Sequence, residues 1–278
     1  MHANILEREH MVTQENITWL KSWFAAYVKT FQSGNPDDQR NIDLKEEHTM
    51  RVCKEILDVG TSLDLDSQDL LVAEVIALFH DVGRFEQYAR YGTFSDPESE
   101  DHALLGVKVL RKNDVLKTLD QETRDLILRT VSYHNRAKLP EEETERCLFF
   151  TKLLRDADKL DIWRVVTDYY RKMNSSRNGV IELGLPDSPE ISQDVYMDMI
   201  AGRTVKTTSL KTLNDFKVLQ MGWIYDVNFP RTFQLVGERG YLEKIRDVLP
   251  PTEQVSEIYS AARSYLKAHL VKNSPESF

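Results

Sequence analysis

Four of the seven histidines, His48, His80, His102 and His134, carry the first chemical signal in this chain, because helical stepping puts each on an apolar face. His48 shares its face with Leu44 and Val52, and His80 with Ala73, Ile76 and Ala77. His102 lies beside Leu105 and Val109, and His134 beside Ile127 and Val131. Any one of them alone reads as a core histidine with a satisfied hydrogen bond. Four converging on one interior are costly to bury unpaired. Asp81 adds to the demand, since a carboxylate at the end of an apolar helix meets both desolvation and the negative pole of the macrodipole. Arg84 or Arg51 is available as an ion-pair partner; a bound cation is the other solution. Asp158 repeats the problem on a face with Leu154, Ile162 and Val165, with Asp156 and Asp161 close by and Lys159 neutralising only part of their charge. Imidazole nitrogens and carboxylate oxygens without a thiolate suit Mn, Fe, Co, Ni, Zn or Mg, and the lack of cysteine argues against a structural zinc. A divalent ion would answer all six inward polar side chains together.

These residues need helices to carry them, and the chain supplies helical periods almost throughout. Ile17, Leu20, Trp23, Phe24, Tyr27, Val28 and Phe31 mark a first amphipathic helix, ended by Gly34-Asn35-Pro36-Asp37-Asp38. A second runs from about Ile42 to Val59 and stops at Gly60. A third, capped by Asp66 or Ser67, is apolar all round from Leu70 to His80 and should be central. Gly83 to Pro97 has no clean period and reads as an ordered loop. Helix resumes near Ser99; Asp120 caps the next, to about His134, and Pro140 with Glu141, Glu142 and Glu143 starts another that continues past Val165. Met173 to Ser188 is a long connection with one extended candidate, Val180 to Leu183. Helical segments then begin at Ser188-Pro189-Glu190 and cover about 210–227, 231–248 and 252–270. The expectation is an all-α single unit over 1–278, with a core at about 42–166 and a C-terminal helical cap at about 167–278 contributing to a substrate pocket.

Composition narrows the function classes. The 278 residues are 41% apolar and 29% charged, which excludes disordered and collagen-like chains. Thirty-six Lys and Arg against 45 Asp and Glu leave a net charge of -9, so a long nucleic acid would be repelled while a small anion in a locally positive pocket would not. Cys53 and Cys147 are far apart and form no metal or disulfide framework. The start, Met1 to His10, lacks the apolar core of a signal peptide, and no apolar run has the length a bilayer requires. A cytoplasmic protein without membrane contact is expected; nothing in the sequence speaks to its oligomeric state.

A His-Asp dipeptide is weak by itself; the order of the residues carries the weight. His48, His80-Asp81, His102, His134 and Asp158-Lys159, each on a separate expected helix, resemble the HD-domain metal-dependent phosphohydrolases in their six-ligand version, over about Leu44 to Val166. The resemblance implies that His48, His80, Asp81 and Asp158 bind one divalent metal. It also implies that His102 and His134 take a second, with Asp81 bridging. With only one ion, those two histidines would contact phosphate or donate a proton. Asp158 is chosen over Asp156 by the family's alanine-aspartate step, here Ala157-Asp158. Asn135 and Asp161 would support the ligands.

The activity implied is hydrolysis of a small phosphoester, a nucleotide or related phosphate, by metal-activated water. Lys159 would contact the phosphate, and Arg51 and Arg84 would clamp its oxygens. The plain alternatives are ion pairs of Arg51 with Glu47 or Glu55, Arg84 with Glu86, and Lys159 with Asp156. Tyr88, Tyr91, Gly92 and Phe94 would cover the substrate or simply pack, as would Trp223, Tyr225, Asp226 and Arg231. Two rival functions are a di-iron oxygenase resembling inositol oxygenase and a non-catalytic nucleotide sensor.

Overall fold

The structure, a computed structural model, describes residues 12–172 and 178–272. Among the described residues every regular element is a helix and none is a strand. Residue contacts group the chain into two compact units, Met1–Asp158 and Lys159–Phe278. Asp158 is the last residue of the first unit. The start at Met1 to His10 and part of the connection after Met173 lie outside the described residues.

The first unit holds α1 (Gln14–Lys29), α2 (Pro36–Ser62), α3 (Ser67–Phe79), α4 (Gly83–Tyr91), α5 (His102–Lys112), α6 (Gln121–Tyr133) and the first half of α7 (Glu145–Lys172). Helix α3 touches α1, α2 and α6. Its run Val72, Ala73, Val75, Ile76, Ala77, Leu78 and Phe79 is buried on every side, each large member contributing about 1.5–3 kcal/mol through burial. Asp66 caps it by accepting from the Asp69 amide. The second helix starts six residues earlier than its apolar period does, because Asn35 caps it and Pro36 takes the first-turn position that lacks a needed N–H. Gly60 lies within it, where a side chain would meet Leu70 and Leu65; the helix ends at Ser62.

The expected loop at Gly83–Pro97 is instead mostly helix α4, closed by Gly92 in the left-handed conformation at φ 65°. Its buried positions are Gly83, Phe85 and Gln87. A glycine and an amide do not register in a hydrophobic period, which is why the helix was hidden. Gly83 is required where α4 meets α5, since a Cβ there would lie 2.2 Å from the His102 carbonyl oxygen and 2.5 Å from the Gly106 nitrogen. Backbone on both sides cannot swing away. Gly83→Ala should therefore destabilise the first unit by about 1–3 kcal/mol, read as a lower urea midpoint; an unchanged midpoint would show that α4 and α5 part freely.

Helix α7 starts at Glu145 rather than Pro140. Thr144 supplies the cap, accepting from the Cys147 amide at 3.3 Å, while Glu143 turns back to accept from the Thr144 amide and from Arg129.

The second unit contains the rest of α7, then α8 (Gln193–Ile200), α9 (Leu213–Gly222), α10 (Pro230–Arg239), α11 (Tyr241–Arg246) and α12 (Glu253–Lys272), with a 3-10 turn at Trp223–Asp226. The extended candidate at 180–183 is a turn, because the Asn178 side chain and carbonyl accept the amides of Val180, Ile181 and Glu182. The helix expected from Ser188 starts at Gln193, where buried Asp215 accepts from the Ser192 amide and hydroxyl at 2.7 Å each. The segment 231–248 breaks at Gly240, φ 64°. Trp163 stacks on Tyr241 and donates to the Gln220 carbonyl at 2.7 Å.

Candidate metal centre

Two helix C-termini aim imidazoles at one interior. His80 ends α3 and His134 ends α6, both buried, and each donates Nδ1–H to the carbonyl three residues back, Ala77 and Val131, at 2.7 Å. A carbonyl oxygen only accepts, so Nδ1 carries a proton, and in the neutral ring the lone pair is then on Nε2. The terminal carbonyls of α3 and α6 also leave partial negative charge there, which favours cations.

Each Nε2 faces a second imidazole. His80 Nε2 lies 3.3 Å from His48 Nε2, and His134 Nε2 lies 3.0 Å from His102 Nε2. Asp158 Oδ1 completes the first pair, 3.1 Å from His48 Nε2 and 3.7 Å from His80 Nε2. That oxygen is buried and makes no hydrogen bond. Asp81 stands between the pairs. Its Oδ2 is 3.6 Å from both His48 and His80 Nε2, and its Oδ1 is 3.3 Å from His102 Nε2 and 3.8 Å from His134 Nε2. Donor atoms of His48, His80 and Asp158, and likewise of Asp81, His102 and His134, lie within 4.8 Å of one another. Lone pairs that converge so closely repel one another unless a cation sits among them. The donor set of both clusters fits a divalent metal.

Electrostatics agree with ionised carboxylates. Burial opposes the charge on Asp81, but Lys45, His80 and Arg84 overcome it and hold the carboxyl well below the usual range. Burial likewise opposes ionisation of Asp158, and hydrogen bonds and charge from the His48 and His80 rings, where these are protonated, outweigh it. Burial and then Arg84 push His102 down to about 4, against the pull of Asp96 and Asp81. That ring is neutral near neutral pH.

Of the basic residues, Arg51 takes a partner anticipated for it, whereas Arg84 and Lys159 take others. Arg51 pairs with Glu47 at 3.1 Å. Arg84 pairs with Asp96 at 2.9 Å and approaches Asp81 at 3.5 Å, not Glu86, which takes Arg90. Lys159, in the second unit, pairs with Asp226 at 2.7 Å rather than Asp156. Asn135 donates to Asp96 and Asp101, and Asp161 is buried with Arg164 at 4.0 Å. Tyr88 accepts from Asn41, donates to Asp38 and packs on Phe94; Tyr91 is exposed.

Two functional neighbours escaped the sequence reading. Asp96 holds His102, and nothing periodic in its segment points to it. Lys45 Nζ lies 2.7 Å from Asp81 Oδ2. It stands one turn before His48 on α2, so helical stepping was enough to find it. Breaking a largely buried pair costs several kcal/mol, and the other cations around Asp81 soften that loss. Lys45→Met should destabilise the metal-free protein by about 2 kcal/mol while tightening divalent-ion binding, because it removes a positive charge from the same oxygen. Calorimetric titration with Mn²⁺ and thermal melts check both signs; weaker Mn²⁺ binding would contradict this account.

An all-helical domain that gathers imidazoles and ionised carboxylates about two adjacent points is able to hold metal ions. Residues 46–163 match the family model of the HD domain, so the chain carries an HD domain over the segment that contains all six side chains. No curated protein and no solved structure matches the chain. HD domains bind divalent metals, and the domain implies the superfamily of metal-dependent phosphohydrolases. No helix among the described residues is long and apolar enough to cross a membrane.

Proposed function

We propose that this protein hydrolyses a small phosphoester, a nucleotide or related phosphate, with two divalent cations held by His48, His80 and Asp158 on one side, His102 and His134 on the other, and Asp81 between. The observation that carries the reading is the division of Asp81, one oxygen toward each histidine pair. Bound divalent ions lower the pKa of water and polarise a phosphoryl oxygen. The chain's part is to keep the Nε2 lone pairs free by tying Nδ1 of His80 and His134 to backbone carbonyls. Asp81 and Asp158 supply the negative charge that draws the ions in. Arg51 and Arg84 provide positive charge for phosphate oxygens, Arg84 by exchanging Asp96 for substrate. Lys159 follows Asp158 in α7 and pairs with Asp226.

The test is a panel of nucleoside mono- and polyphosphates, cyclic dinucleotides and dinucleoside polyphosphates with Mn²⁺, Co²⁺, Ni²⁺ and Mg²⁺, beside elemental analysis of protein purified without chelator. Metal-dependent phosphate release supports the reading. Oxygen uptake on a polyol by iron-loaded protein, or tight nucleotide binding without turnover, would replace it.

A further inference from the structure

His102 differs from the other well-anchored histidines in how its ring is held. His80 and His134 sit at helix C-termini and use a carbonyl of their own helix. His102 is the first residue of α5, where no earlier turn of that helix exists to accept from its ring. Its Nδ1 meets the Asp96 carboxylate instead, 2.7 Å from Oδ2 and 2.9 Å from Oδ1.

Asp96 is itself over-determined. Its Oδ1 accepts from Arg84 Nη1 and Gln87 Nε2 at 2.9 Å each, and its Oδ2 accepts from Asn135 Nδ2 at 3.2 Å. Gln87 is fully buried and fixed in turn by Ser99 Oγ and the Glu100 carbonyl at 2.8 Å each. Asn135 follows His134 directly. The carboxylate thus ties α4 and the end of α6 to the ring of His102, and being ionised it accepts the Nδ1 proton without competing for Nε2. Burial opposes its charge, while His102, Arg84 and Gln87 more than restore it.

We infer that Asp96 is the positioning residue of the second histidine pair: it fixes the Nδ1–H tautomer of His102, aims Nε2 at His134 and Asp81, and so sets the affinity of the second cation. The inference rests on the two-cation reading above. A carboxylate in this position also makes the far nitrogen a stronger donor, and its loss typically costs about 10–100-fold in metal affinity.

The experiment uses full-length protein and an Asp96→Asn variant. In metal-free, ¹⁵N-labelled samples, two-bond ¹H–¹⁵N spectra should show His102 as the Nδ1–H tautomer in the wild type and shifted toward Nε2–H in the variant. Calorimetry with Mn²⁺ should then show the first ion unchanged and the second weakened by about 10–100-fold. An unmoved tautomer, or an unmoved second affinity, overturns the inference. Fewer than two ions on the wild type sinks the two-cation reading and the affinity claim with it, while the tautomer comparison still decides whether Asp96 orients the ring. Should Asp96→Asn fail to fold, Asp96→Glu keeps the charge but displaces the carboxylate by one methylene, and the same two readouts apply.

Discussion

Replacing Asp81 with asparagine should remove both cations and lower phosphoester turnover by about 10³-fold or more. Each of its oxygens faces a different histidine pair, so its charge serves both clusters. Cation chemistry at a phosphoryl centre contributes several kcal/mol, and each 1.36 kcal/mol is tenfold in rate. An amide keeps the shape and loses the charge. Elemental analysis after chelation and reloading, set beside steady-state kinetics on the best substrate of the panel, gives the result. His134→Ala is the informative companion, expected to lose the second ion and retain the first, and the His80→Ala and Asp81→Ala double variant sets the baseline. Turnover within tenfold of the wild type in Asp81→Asn would remove the carboxylate from the chemistry altogether.

Divalent cations should also stabilise the first unit strongly. Without them, the Nε2 atoms of His102 and His134 stand 3.0 Å apart beside an ionised carboxylate oxygen, and Asp158 Oδ1 is buried without a hydrogen bond. An ion that binds only the folded chain adds about 4 kcal/mol when present at a thousand times its Kd. Thermal melts with saturating Mn²⁺ should therefore show an upward shift that chelator reverses and His102→Ala reduces by about half, one site of two. The sign with pH follows from competition: protons and ions seek the same Nε2 lone pairs, so the gain shrinks as pH falls. A midpoint indifferent to Mn²⁺ would mean that the interior tolerates these groups without a cation.

Much of this was legible in the chain. The all-α class followed from helical periods that continue through almost every segment, and the inward direction of His48, His80, His102 and His134 followed from their apolar neighbours one turn away. Asp81 and Asp158 stood out because a carboxylate on an apolar face has no cheap local solution. Those signals are local, and stepping along a helix preserves them. Where the periodic signal was silent, the buried residue was not apolar: Gly83 and Gln87 make α4 a helix that hydropathy does not see, and Asn35 with Pro36 starts α2 ahead of its first apolar residue.

What the amino-acid sequence determined by itself was therefore the set of side chains that had to meet and the helices that carry them, since residue type and spacing along one helix decide both. Tertiary structure alone decided their partners. Lys45 on Asp81, Asp96 on His102, Arg84 on Asp96 and Asp226 on Lys159 are choices among many oppositely charged residues, made by which helices pack together and at what separation. Charge attraction is not specific to sequence distance, so only the packed chain selects among them.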